Sequence, residues 1–443
     1  MEDKKPVIVK DIKEGAEPKQ LTQEDKKNFL EQIKNLRQTQ ELIKQGNFGA
    51  VKTQYKFWST QPVPQLNRDC EINFGPLIKE TNMENIRKDP YVLPEGFEWK
   101  DVDLSQSNEV DKLYEFLKSN YIGDESRLFG MEHSKDFLKW YLSPPGMHKE
   151  WIISVLKEDK VKNKKKMIGF ICAIPCKISV IGTEVQLAKV NFLCVRKEFR
   201  NKRLTPVLIQ EITRRVNLKN VWQGFYATYS YLPKPFSKYE YYYRNINLKK
   251  LIDVQYTYLP PKMSLGKALK NNELPDEPQI SGFRKMTDKD LDQIYELITK
   301  NRTNYLVYDI LSKEDLEHWL LPRNNIIYTY VLEDENNKIT DFCSFYGLSR
   351  TILNNNNSKY KKINIAYSLI NYNSSISMKD LLKTAIIFAK NNNFDAFLCI
   401  NSREYSDTFK ELLFKEKIGK KKLYFYNFVC PETPIDALSL INI

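Results

Sequence analysis

Residues 191–216 read NFLCVRKEFRNKRLTPVLIQEITRRV. The first residues form an apolar run of strand length, and the last are an amphipathic helix-forming run. Between them, Thr205 is suited to cap a helix and Pro206 to occupy its first position, so the spacing predicts a helix over Pro206–Val216. The connecting loop then sets Arg196, Lys197, Arg200, Lys202 and Arg203 beside a helix N-terminus, where unpaired backbone N–H groups and the helix dipole favour an anion. The segment reads as a phosphate cradle without glycines. An ordinary solvated basic loop is the competing reading of the segment alone.

Outward from this segment the chain repeats itself. Helix Glu109–Lys118 and the helix after Ser134 (SKDFLKWYL) are matched by Asp290–Lys300 and the helix after Ser312 (SKEDLEHWLL), with Tyr114 against Tyr295 and Trp140 against Trp319. Each pair precedes a hairpin: WIISVLKED with KMIGFICAIP, then IIYTYVLED with KITDFCSFYG across an Asn336-Asn337 turn. Strand, helix and strand follow each time: KVNFLCV, Pro206–Val216 and GFYATYS, then NIAYSLINY, Lys379–Lys390 and FDAFLCI. The expected fold class is α/β with mixed sheets, arranged as a tandem pseudo-symmetric pair. Function is expected where the copies diverge. The second junction, NSSISMKDLLK, lacks the cationic cluster, so one half is expected to hold a phosphorylated ligand and the other not.

Composition bounds the remainder. A chain of 443 residues has room for about three domain-sized units or two large ones. With 42% hydrophobic and 28% charged residues it reads as globular and water-soluble. No apolar run is long enough to span a bilayer and the first residues lack an apolar leader, which disfavours secretion and membrane insertion. Residues 1–50 read as a polar arm with one helix, Gln23–Gln45; units 51–255 and 256–443 follow. The net charge of +13 is compatible with nucleic acid, acidic membranes or a phosphate-rich ligand. No nucleic-acid-binding signature occurs. Seven cysteines without a C-x-x-C pair read as reduced core thiols of a cytoplasmic protein, and the scattered His133, His148 and His318 argue against a metal site. The Asn runs at Asn354 and Asn391 and the lysines 164–166 read as solvated loops.

Several motifs resemble the N-myristoyltransferase (glycylpeptide N-tetradecanoyltransferase) family: Phe57-Trp58-Ser59-Thr60-Gln61-Pro62-Val63-Pro64, the Asn191–Val216 block, GFICAIP, Tyr231–Pro235 and Thr340–Tyr346. The similarity runs from about Tyr55 to the last residue. It implies two N-acetyltransferase-like (GNAT) halves, the first binding myristoyl-CoA as co-substrate and the second a protein or peptide with an N-terminal glycine. Tyr55, Lys56, Phe57, Trp58 and Phe192, Leu193, Cys194, Val195 match acyl-CoA-contacting positions. Asn201, Arg203, Leu204, Thr205 and Pro206 match CoA-phosphate positions. The resemblance further implies an oxyanion hole from the backbone N–H groups of Phe192 and Leu193, and a general base in the terminal carboxylate of Ile443. Tyr121, Phe129, Tyr241 and Tyr367 match peptide-groove positions, and a monomer is expected.

Departures cluster on the peptide side. A family Gly-Asp-Gly becomes Gly419-Lys420-Lys421, followed by Lys422, and an acidic loop becomes Gly123-Asp124-Glu125-Ser126. Lys420 is therefore expected to discourage the basic peptides the family often takes. Tyr226-Ala227-Thr228-Tyr229, Tyr243, Phe129-Gly130-Met131, Leu398, Arg196 and Leu348-Ser349-Arg350 also depart from the family pattern. Two readings remain open: an acyltransferase with altered acceptor or chain preference, and an acyl-CoA-binding paralogue without transfer.

Overall fold

The computed structural model describes residues 57–64, 74–79, 83–121, 128–159, 164–230, 232, 234–353, 359–400 and 405–441, with side chains 417–419 excepted. The expected arm and its helix, the loop 123–126, the Asn run from 354, Cys70, Tyr55, Lys56 and Ile443 lie outside them.

The first half contains β1 (Phe97–Asp101), α1 (Ser107–Asn120), β2 (Phe129–Glu132), α2 (Lys135–Tyr141), β3 (Ile152–Asp159), β4 (Lys164–Val180), β5 (Thr183–Val195), α3 (Leu204–Asn217), β6 (Gln223–Thr228) and β7 (Ser237–Asn245). Helices α4 (Leu248–Asp253) and α5 (Leu265–Asn272) lead to the second half. There follow β8 (Arg284–Lys285), α6 (Leu291–Arg302), β9 (Val307–Asp309), α7 (Lys313–Leu320), β10 (Ile327–Glu333), β11 (Ile339–Ile352) and β12 (Lys362–Tyr372). The half is completed by α8 (Met378–Asn391), β13 (Ala396–Ile400), α9 (Ser406–Glu411), β14 (Lys415–Tyr426) and β15 (Leu438–Ser439). Local chemistry explains the matched helix starts. Ser134 Oγ accepts the Phe137 N–H at 3.1 Å, and Ser312 and Asp315 form a reciprocal capping box at α7.

The strands join one sheet in the order β1-β3-β4-β5-β6-β14-β7-β13-β12-β11-β10-β8. From either edge inward the two halves present the same succession of elements, so the tandem pseudo-symmetric α/β pair expected from the repeat is the architecture observed. The centre holds what the repeat does not announce. Strand β7 pairs with β13 of the second half, and β14 crosses to pair with β6 of the first. The short strands are exchanged too: β2 pairs with β11 and β9 with β4. The two repeat-matched tryptophans meet, with Trp140 and Trp319 ring centroids 5.2 Å apart.

Helix α3 packs Leu208, Ile212 and Val216 with Ile153, Val155 and Ile171 of the strands beneath it. A Cβ on Gly169 would stand 3.2 Å from the Leu204 and Leu208 side chains, so glycine there lets α3 lie close on β4. Helix α8 repeats the arrangement with Leu381, Ala385 and Ala389 against Phe345, Ala366 and Phe397. A larger core shared by both halves contains Phe192, Tyr346, Tyr367, Leu398 and Ile441.

Three expectations need correction: the lysines 164–166 are not a loop but open strand β4, paired with Asp159, Glu158 and Lys157 of β3. Helix α3 starts at Leu204 with Arg203 as its cap residue, not at Pro206 after Thr205. Thr205 and Pro206 sit inside the first turn, where a proline still sacrifices no helical hydrogen bond. The Asn391–Asn393 run is more than a solvated loop: Asn392 Nδ2 donates to Tyr330 Oη at 3.0 Å and to the Phe388 carbonyl at 2.8 Å. No helix among the described residues is long and apolar enough to cross a membrane.

Candidate active site

Strand β5 has a different relation to each neighbour. On the β4 side the register passes from Phe170↔Cys194 to Cys172↔Asn191, so Phe192 and Leu193 together face the single residue Ile171. This is a β-bulge, with Phe192 in the left-handed region at φ +53°. Asn191 holds it: its Oδ1 accepts the Phe192 N–H at 2.9 Å, and its Nδ2 donates to Tyr141 Oη at 2.9 Å. On the other side β5 pairs with β6 only over Leu187–Lys189, then parts from it. The bulge therefore lies in the stretch where the sheet has opened into a wedge. Rings of Tyr121, His133 and Tyr141 stand 5.5, 4.9 and 5.4 Å from that of Phe192. Burial pushes the Cys194 thiol up to about 12, so it is no nucleophile at neutral pH.

Beyond Val195 the chain enters the cationic loop. Arg196 Nε donates to the Met167 carbonyl at 3.0 Å, and Arg200 donates to the carbonyls of Val195 and Asn120. These two guanidinium groups brace the loop. Lys197, Lys202 and Arg203 are exposed. Asn201 and Arg203 adopt φ of +63° and +59°, and α3 begins without a side-chain cap. Its first N–H groups and the three exposed cations thus face the same end of the helix, which is the composition of an anion site. At the wedge's other wall Trp58 stacks on Tyr226 of β6 at 5.6 Å and contacts Phe57 edge-on at 5.2 Å.

The second half resolves the same junction differently. Buried Asp341 accepts the backbone N–H groups of Ser374, Ser375 and Ile376 at 2.8, 3.2 and 3.3 Å, and also the Ser375 hydroxyl. Ser377 caps α8 by accepting the Asp380 N–H at 3.1 Å. A carboxylate of the chain itself occupies the place where the first half keeps free donors.

The C-terminal segment enters the shared core beside the bulged strand. Strand β15 pairs with β9, the Ile441 N–H donates to Asp309 Oδ2 at 2.5 Å, and Lys189 Nζ donates to the Ile441 carbonyl. Lys189 disfavours protonation of Lys421, and Lys421 disfavours that of His133. Burial and Lys189 hold Lys421 down to about 8, and burial and Lys421 hold His133 down to about 3, leaving it neutral.

The expected groove residues gather around the same core. Tyr241 and Tyr367 rings are 5.7 Å apart, Tyr367 stacks on Tyr346 at 5.2 Å, and Phe129 meets Tyr256 edge-on at 5.5 Å. Tyr121 joins them to Phe192. Lys420 does not join: its ammonium is exposed and pairs with Glu240. The inward lysine is its neighbour Lys421. Sequence reasoning also passed over Lys189, Asp309 and Asp341, each a charge beside apolar or aromatic strand residues, which was the available signal.

Comparison with known proteins agrees with this arrangement. The family described as myristoyl-CoA:protein N-myristoyltransferase matches through its N-terminal domain over residues 76–239 and its C-terminal domain over residues 253–439. The glycylpeptide N-tetradecanoyltransferase of Plasmodium falciparum is 40% identical over 408 residues, 92% of this chain and 96% of the relative. Glycylpeptide N-tetradecanoyltransferase 2 of Danio rerio is 38% identical over 392 residues, 88% and 78% of the two chains. The crystal structure of Saccharomyces cerevisiae N-myristoyltransferase with bound myristoyl-CoA superposes with a TM-score of 0.81 at 33% identity, covering 86% of this chain and 94% of that one. The chain belongs to the myristoyl-CoA:protein N-myristoyltransferase family of acyltransferases.

Proposed function

We propose that this protein transfers the myristoyl group of myristoyl-CoA to the N-terminal glycine amine of proteins or peptides. The observation that carries the reading is the alignment of three features along one strand: the uncapped cationic start of α3, the open wedge, and the bulge at Phe192 and Leu193. Lys197, Lys202, Arg203 and the N–H groups around Asn201–Thr205 would hold the CoA phosphates, with Leu204 and Pro206 shaping the turn. Phe57 and Trp58 would cover the acyl-CoA from the β6 side, and Tyr55 and Lys56 would also contact it. The thioester would then lie at Phe192–Val195.

The glycine nitrogen attacks the thioester carbonyl carbon, so a C–N bond forms and the C–S bond breaks, with CoA leaving as its thiol. The developing oxyanion would be held by the Phe192 and Leu193 N–H groups, donors of a kind worth about 3–4 kcal/mol each. Phe192 must exchange its Asn191 Oδ1 partner for the substrate oxygen to do so. An α-amine with an ordinary pKa of about 7.7–8.0 has to lose a proton before attack. The charges of Lys421 and Lys189 disfavour a further cation nearby and so favour the neutral amine. The clamp fixes Ile441 beside the bulged strand, and the carboxylate of Ile443 would take the proton. Tyr121, Phe129, Tyr241 and Tyr367 would line the acceptor path.

The test is CoA release by the purified protein given myristoyl-CoA and a panel of glycine-start peptides. Release that vanishes when the glycine is replaced by alanine supports the reading. Tight acyl-CoA binding with no release from any peptide overturns it in favour of a non-catalytic acyl-CoA-binding protein.

A further inference from the structure

Arg350 lies among the tyrosines that would line the acceptor chamber, and the proposed chemistry leaves it unused. It lies on β11, opposite Met131 of β2 and Ile363 of β12, and is only 7% exposed. One Nη donates to Tyr367 Oη at 3.0 Å, and the guanidinium stands 6.0 Å from the centre of the Tyr256 ring. Its Nε is buried with no hydrogen-bond partner. No ion pair of Arg350 with a carboxylate occurs among the described residues. Glu132, the nearest acid by register, opposes Ser349 and so serves the other face of the sheet, where it accepts from Tyr114 Oη at 2.5 Å and from Thr351. The surroundings of Arg350 are the residues expected to line the acceptor groove, Tyr367 directly and Tyr241 and Phe129 through Tyr367 and Tyr256. Tyr229, an electrostatic neighbour of both Arg350 and Tyr121, is 43% exposed.

A guanidinium buried without a counter-charge carries a desolvation penalty that one hydroxyl and a ring offset only in part. Its planar fork, with Nε and an Nη donor available, matches a carboxylate in two parallel hydrogen bonds. We propose that Arg350 selects acceptors carrying an aspartate or glutamate close behind the N-terminal glycine, by pairing with that side-chain carboxylate inside the chamber. The inference rests on the transferase reading and names the acceptor class of the same site. Lys421 adds to the positive field that such an acceptor would enter.

The test is a set of glycine-start peptides in which a single glutamate, or glutamine in its place, is walked along the positions after the glycine. For the wild-type protein, kcat/KM is expected to favour glutamate over glutamine at one position by about tenfold to a hundredfold. Arg350→Met should abolish that ratio, and Arg350→Lys, which keeps charge but loses the fork, should retain only part of it. Myristoyl-CoA binding by each variant reports that it has folded. Should Arg350→Met not fold, the wild-type ratio and its reduction in Arg350→Lys decide the matter. Equal turnover of glutamate and glutamine peptides at every position, or a preference surviving in Arg350→Met, overturns the inference while leaving the transferase intact. Silence across all peptides overturns the transferase reading and this inference with it.

Discussion

Lys189 and Lys421 show how single side chains govern this centre. Lys189 donates to the Ile441 carbonyl while Asp309 accepts the Ile441 N–H. Lys189→Met would leave that carbonyl without its donor, a loss of about 1–3 kcal/mol that thermal unfolding would register. If the clamp positions the base, kcat should fall by about tenfold or more with myristoyl-CoA affinity nearly unchanged, since small displacements of a reacting group are costly. Equal losses in both would assign the clamp to the fold alone. Lys421 gives a pH test. Its folded value, about 8, lies below the ordinary 10.5, so below about 8 it is charged in folded and unfolded chains alike and its burial penalty is present in full. Between these values the unfolded chain holds more protons, and its contribution to stability therefore rises with pH. Urea unfolding of wild type and Lys421→Met should differ in slope across that window, with the variant the more stable near neutrality. Parallel slopes would mean that Lys421 keeps an ordinary pKa.

The paired helices α3 and α8 carry the contrast between the halves. Both follow a strand and cover the sheet in the same way, but α3 begins without a side-chain cap among exposed cations, while the turn before α8 is closed by Asp341. Asp341→Ala is expected to cost about 1–3 kcal/mol, because several partly exposed donors lose one buried acceptor. Sulfate should then raise the Tm of the variant more than that of wild type, since the vacated turn regains the character of an anion site. A variant indifferent to sulfate would show that the turn collapses when Asp341 is removed.

Reciprocal exchange of β7 with β14 and of β2 with β9 binds the halves into one sheet. Residues 51–255 expressed alone would lack β14 and β9, exposing the edge of β6, and residues 256–443 would lack β7 and β2. Neither piece is expected to give a cooperative unfolding transition, whereas the full chain should unfold in one step because its larger hydrophobic core is built from both halves. A separately folded 51–255 fragment with a sharp transition would refute this account.

Local sequence determined the elements and their order. Capping serines at Ser134 and Ser312, the periodicity of α1, α3 and α8 and the repeated hairpins are short-range signals, and the motif around Asn191–Val216 pointed to the family and to the proposed anion site. Tertiary structure alone decided which strands are neighbours across the centre, because pairing energy between β6 and β14, or β13 and β7, is not encoded by periodicity within either strand. It also decided which lysine faces inward: adjacent residues of a strand point to opposite sides, so Lys420 meets Glu240 at the surface and Lys421 enters the core. Arg350 was visible as a departure from the family pattern, but its character as a buried cation with no carboxylate partner among the described residues arises only when β2, β11 and β12 close around it.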